Sequence, residues 1–223
     1  LTKVDYAEIM SSNQNWARIE REHFANTLHL VGPDAPTLCL PWTTRDLAAH
    51  VVVRERRPDA ALGLIIPLLN NHLEAVRQKV AKSDWNELIS QVRSGPKSWN
   101  PMSWGPVDNL ANVFEFFVHH EDVLRAAANP APRVLPDEYT ALLMSRLHDG
   151  AWLLWRRAKV GVILTDGSSS VVAKRPPKGA GIVTVTGQVA ELVMKSYGRN
   201  NSQVTVIGAE QDLALFAQTN LSV

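Results

Sequence analysis

The segment Asn112-Val113-Phe114-Glu115-Phe116-Phe117-Val118-His119-His120-Glu121-Asp122 is the strongest constraint on how this chain can fold. Wound as a helix, its aromatic and valine side chains fall on nearly every azimuth, so the segment must be buried on most sides. Yet Asn112, Glu115, His119 and Asp122, spaced three, four and three residues apart, stack on one narrow face. A carboxylate among phenylalanines cannot be left unpaired, because burying an uncompensated charge costs too much. Glu115 and His119, at i and i+4, can both reach one divalent cation, and imidazole with carboxylate suits zinc or another first-row metal.

Two ligands are too few for a tight site. The best third candidate is His50, in the apolar run Leu47-Ala48-Ala49-His50-Val51-Val52-Val53. Two such helices packed face to face offer a His/Glu/His set with open coordination positions, which is what separates a reactive or ligand-binding metal from a structural one. The plainer readings stand beside this one. His50 alone fits a hydrogen-bonded core histidine, and Glu115 with His119 alone fits an intrahelical pair.

Composition narrows the alternatives. The 223 residues include seven histidines but one cysteine, which removes a disulfide framework and any cysteine-based zinc finger. Lysine plus arginine number 23 against 22 acidic residues, a net charge of +1 that gives no nucleic-acid footprint. No apolar run approaches the roughly 18 residues that span a bilayer. The longest candidate, Leu62 to Leu69, is interrupted by Gly63 and Pro67. Leu1 to Asn13 show no charged-then-apolar leader, so the expected address is cytoplasmic.

Periodicity predicts helices from Trp16 to the Gly32-Pro33 break, from the Thr43/Asp46 capping box to Arg57, and from Leu69 to Ala81. Further helices are predicted from Asp84 to Val92, Val107 to Ala128 and Pro136 to Lys159. The stretch from Ser94 to Pro106, with three prolines, can only be a loop, and its Trp99 and Trp104 are candidates either to roof a metal pocket or simply to plug the end of the bundle. Beyond the fifth long helix come short β-branched runs at Val160–Leu164, Val171–Lys174, Ile182–Thr186 and Val204–Ile207. Helices are expected at Gln188–Tyr197 and Glu210–Gln218. The expected organisation is a mainly α protein: a helical bundle over 1–130, then a fifth helix with a small α+β portion over 131–223.

Two segments carry a resemblance to a known family. The run Leu38-Cys39-Leu40-Pro41-Trp42-Thr43-Thr44-Arg45-Asp46-Leu47-Ala48-Ala49-His50 resembles the Trp-Thr/Ser-x-x-Asp-x-x-x-His segment of the DinB-like superfamily. Glu115-Phe116-Phe117-Val118-His119-His120-Glu121-Asp122 is similar to the Glu-x-x-x-His-His-x-Asp signature of its branch related to mycothiol-dependent maleylpyruvate isomerase. The tail, with Val183-Thr184-Val185-Thr186-Gly187, Ala190-Glu191-Leu192 and Gly198-Arg199, resembles the small C-terminal domain of the same proteins. Gly32-Pro33-Asp34-Ala35-Pro36-Thr37-Leu38-Cys39 and Val52-Val53-Arg54-Glu55-Arg56-Arg57-Pro58 are similar to an actinobacterial subgroup of metal-binding proteins. Leu40-Pro41 departs from the acidic residue plus glycine usual before that tryptophan, a change in the loop and not in the ligands.

The resemblance implies a DinB-like four-helix bundle holding a divalent metal on His50, Glu115 and His119, usually zinc, with nickel or iron as alternatives. It also implies mycothiol, a low-molecular-weight thiol, as cofactor, with an electrophilic small molecule as substrate of an isomerisation or S-transfer. The alternative is a non-catalytic metal or small-ligand binding protein of the same fold. The expected partners are small molecules, with neither nucleic acid nor membrane, and the oligomeric state is open, a homodimer included. Arg54, one turn beyond His50, is a candidate fork for a substrate or cofactor carboxylate, or else part of a solvated helix end with Arg56 and Arg57. His120 reads as a supporting or packing residue. Asp122 could orient a ligand imidazole or make a surface ion pair. Cys39 reads as an inert buried thiol.

Overall fold

Helix α1 (Trp16–Val31) begins where the Asn15 side chain accepts the Arg18 N–H at 3.0 Å. It ends at Gly32, whose φ of 81° suits a residue without a Cβ. The computed structural model describes residues 15–61, 63, 66–96, 105–128 and 133–221. Helix α2 (Thr44–Arg56) starts from the capping box: Asp46 Oδ2 accepts the Thr43 backbone N–H and hydroxyl, both at 3.1 Å. Pro58 does not simply stop the chain, because it opens a short helix α3 (Pro58–Ala61), as proline does at a first helical position. After the single 3₁₀ turn Pro67–Leu69 come α4 (Asn70–Ala81) and α5 (Trp85–Ser94), the latter capped by Asp84. Helix α6 (Gly105–Leu124) is the stripe-bearing one.

The chain divides into two compact units, 1–123 and 124–223. In the first, α2 packs on α4 and α5, and α1 on α5. Phe24, Leu28, Leu47, Val51, Leu88 and Phe116 form its buried centre. Val113, Phe116, Phe117 and Val118 are at most 1% exposed, as expected of a helix apolar on nearly every side.

The second unit holds α7 (Asp137–Leu154), β1 (Gly161–Thr165), β2 (Ser170–Lys174), β3 (Ile182–Thr186), α8 (Val189–Ser196), β4 (Thr205–Ile207) and α9 (Glu210–Ala217). Its four strands lie in the order β2-β1-β3-β4, with β1 parallel to β3 and the outer pairs antiparallel. Val162 is level with Val183, and Leu164 with Val185 and Val171, so one face of the sheet is a continuous apolar layer. This is a mainly helical chain finished by a small mixed sheet with helices.

Two helices are shorter than the periodicity predicts. Helix α7 stops at Leu154 and not at Lys159, because Trp155 is drawn inward. Trp155 is fully buried, gives its indole N–H to Ser196 Oγ at 3.0 Å and stacks on Phe216 at 5.5 Å. Helix α6 stops at Leu124, not Ala128, and Arg125 leaves it to form a two-pronged pair with Glu191 at 2.7 and 2.9 Å. The Asn129-to-Pro132 break and the two loop tryptophans, Trp99 and Trp104, lie outside the described residues. Among the described residues no helix is long and apolar enough to cross a membrane.

Candidate metal centre

The capped start of α2 fixes the rotational phase of that helix, and the narrow polar stripe fixes that of α6. Together they bring His50 and the stripe face to face. His50 Nε2 lies 3.4 Å from Glu115 Oε1, and His119 Nε2 lies 3.1 Å from the same oxygen. One ligand atom from each of His50, Glu115 and His119 falls within 4.8 Å of the others. Their side chains retain 12%, 17% and 11% exposure, so the group is recessed but open on one side.

The other nitrogen of His119 is also engaged. Asp122 Oδ2 lies 3.1 Å from His119 Nδ1 and accepts the Cys39 thiol at the same distance. Asp122 is fully buried, so its place is behind the imidazole and not on the surface. A carboxylate there keeps the proton on Nδ1 and leaves Nε2 facing Glu115, the arrangement that metal-binding histidines favour. Cys39 differs from a purely inert thiol: it packs against the apolar core and its thiol also donates to this cluster. Its backbone explains the difference: Trp42 N–H donates to Cys39 carbonyl O at 2.8 Å across the Leu40–Pro41 pair, and the tight turn aims both side chains inward. Cys39, His119 and Asp122 form a second donor group that could hold a metal ion.

The surroundings of Glu115 favour its charged form. Burial raises its carboxyl, but the Arg54 guanidinium and the His119 imidazole outweigh it and hold the group well below the usual carboxylate range. His119 moves the opposite way: burial lowers it, yet Glu115, Asp122 and Cys39 together push it well above an ordinary histidine. Burial holds His50 low, and the charges of His119 and Arg54 oppose its protonation while Glu115 favours it. Glu115 therefore keeps its negative charge, His119 attracts a positive one to Nε2, and His50 presents a lone pair. A proton at His119 Nε2 and a divalent ion compete for the same place, so ion binding there releases a proton.

Arg54 is not a solvated helix end. Its side chain is 13% exposed, hydrogen-bonds Asn112 Oδ1 and places Nε 3.5 Å from Glu115 Oε1. Arg56 instead holds the end of α5 through the Gln91 and Gly95 carbonyls, and Arg57 pairs with Asp59 at the surface. His120 points away from the group: Nδ1 lies 2.6 Å from Glu20 Oε1 and Nε2 lies 2.8 Å from Thr27 Oγ1, tying α6 to α1. Trp42, not predicted to touch the site, lies against His50 with ring centroids 5.2 Å apart. Trp42 precedes the cap of α2, so helical spacing gave no signal for this contact.

No protein-family profile matches the sequence. No curated protein matches it either. Solved structures do. The crystal structure of the mycothiol-dependent maleylpyruvate isomerase superposes with a TM-score of 0.58 at 18% identity, over 86% of this chain and 90% of that one. The chain shares the fold of that isomerase. A variant of the enzyme with one histidine replaced by alanine gives a TM-score of 0.51, with the same identity and coverage.

Proposed function

We propose that this chain is a divalent-metal protein that uses a low-molecular-weight thiol, mycothiol by analogy with the structurally similar isomerase, in an isomerisation or S-transfer on an electrophilic small molecule. The observation that carries this reading is the convergence of His50 Nε2 and His119 Nε2 on Glu115 Oε1, with Asp122 behind His119. The donor set suits zinc, with nickel or iron also compatible. Bound there, the ion would supply the Lewis acidity that keeps a coordinating thiol deprotonated.

The chain's own residues perform the rest. Glu115 contributes the negative charge that the ion needs, and His50 contributes a neutral imidazole. Asp122 fixes the tautomer of His119. Arg54 is placed to fork onto a carboxylate of the thiol or the substrate once it releases Asn112 and Glu115.

One observation favours a second reading. Arg54 and both histidines already surround Glu115, so the stripe can be satisfied as an internal ion-pair network with no metal. Elemental analysis of protein purified without a polyhistidine tag separates the two. Near-stoichiometric zinc, nickel or iron that is lost in His50→Ala supports the metal site, and metal-free wild type overturns it. Thiol-dependent turnover of an electrophile panel, abolished by a chelator, supports the enzyme reading. Metal-loaded protein with neither thiol binding nor turnover replaces it with the non-catalytic binding protein.

A further inference from the structure

The two histidines of the candidate centre are held in different ways. His119 has Asp122 on its second nitrogen, whereas His50 Nδ1 has no hydrogen-bond partner among the described residues. The His50 ring instead lies against the Trp42 indole, with ring centroids 5.2 Å apart and a tilt of 42°. The His119 ring, 5.3 Å away, is nearly perpendicular to it at 79°. Trp42 is itself pinned from outside. The Arg77 guanidinium lies 4.8 Å from its ring centroid. That guanidinium is nearly immobile: it donates to Glu74 at 2.6 and 2.8 Å and to Asp46 at 2.6 Å, with 7% of the side chain exposed. Asp46 is the carboxylate that also caps α2, the helix bearing His50.

We propose that Trp42 and Arg77 are positioning residues for His50, a stack that does for this imidazole what Asp122 does for His119. The proposal rests on the reading of His50 as a metal ligand. Its physical content is orientational. A histidine without a second hydrogen bond can turn about its side-chain torsions, and each turned state removes Nε2 from the direction of Glu115. An indole held by a cation over its ring leaves one orientation of the neighbouring imidazole well packed. An arginine suits that place because its planar fork meets Glu74 with two bonds while its guanidinium lies over the indole ring, which a lysine cannot reproduce.

The test combines a structural readout on metal-free protein with a metal titration. In histidine-labelled protein, with His50 assigned by its absence in His50→Gln, Trp42→Leu and Arg77→Met move the His50 ring resonances toward random-coil positions. Both variants weaken zinc binding, measured by competition with a chromophoric chelator, about 10- to 100-fold. Trp42→Phe keeps an aromatic face and restores both readouts. Arg77→Lys, which keeps the charge and loses the fork, gives the intermediate effect if Arg77→Met fails to fold. Arg45→Met is the control for a merely structural role. It breaks bonds to the Ala81 and Ser83 carbonyls that join the same helices, and so lowers the thermal midpoint without moving His50. Unchanged His50 resonances in Arg77→Met, which keeps the indole and its ring current beside His50, overturn the proposal. Displaced resonances in a protein that binds no zinc overturn the metal reading and leave the positioning of His50 supported.

Discussion

Arg21 and Glu55 form a deeply buried two-pronged ion pair in the helical unit, and truncating one partner has a calculable effect. Both contacts are 2.6 Å, with side-chain exposures of 7% and 1%. The guanidinium also donates to the Val92 carbonyl at 3.1 Å and lies 4.2 Å above the Phe116 ring. Glu55→Leu removes the carboxylate that meets the guanidinium at both prongs and puts no anion in its place. Breaking a buried pair in this way costs about 3–5 kcal/mol, because one charge stays in a poor solvent. Replacing both partners removes two desolvation costs along with one attraction, so Arg21→Met with Glu55→Leu should lie within about 1 kcal/mol of wild type or above it. Urea unfolding followed by amide exchange in α1, α2 and α5 reads the helical unit by itself. A single variant less than about 1 kcal/mol below wild type would refute the reasoning, since the guanidinium would then be adequately solvated without its carboxylate.

Three other outcomes follow from contacts already described. Asp122→Asn keeps a hydrogen-bonding partner beside His119 but loses the charge, and should weaken divalent-metal binding about 10-fold or more in a chelator competition. Ser196→Ala removes the acceptor of the buried Trp155 indole N–H and should destabilise the second unit by about 1–3 kcal/mol, measured by the loss of exchange protection in α8. Burial raises the Glu191 carboxyl, but Arg125 and the Gln203 N–H outweigh it and hold the group below its ordinary value of 4.5. A depressed carboxyl contributes stability that is complete above the unfolded value and fades as pH falls through the folded one. The urea midpoint of the second unit should therefore drop below pH 4.5, and Glu191→Gln should flatten that part of the profile. An acid limb of equal depth in the variant would assign it to other groups.

Much of the centre was legible because its determinants are local. The three-four-three spacing from Asn112 to Asp122 puts those residues on one face of any helix, whatever surrounds it. Thr43 with Asp46 announces a helix start two turns before His50, which fixes the phase of that histidine in its helix. Contacts made through turns and across helices were not legible. Cys39 meets Asp122, 83 residues away, only because a tight turn reverses the chain between Cys39 and Trp42. Arg77 lies on α4 and reads as one more charged helical residue until α4 is packed on α2. The early end of α7 has the same origin, since nothing in its periodicity says that Trp155 will be buried against Ser196 and Phe216.

The stripe on α6 also limits what lengths of chain this fold can accept. Asn112 meets Arg54, Glu115 meets His50, and Asp122 meets both Cys39 and the Leu38 backbone N–H, so its successive turns are pinned to separate points on and before α2. Adding or removing one residue between Asn112 and Asp122 rotates everything beyond it by about 100°. That single step would carry His119 off the shared face and bring His120 or Val118 toward it. Relatives of this chain can vary freely in the length of their surface loops. Between Asn112 and Asp122 the count is fixed as firmly as the residues themselves, and a homologue with one insertion there has given up this centre even if it keeps all four side chains.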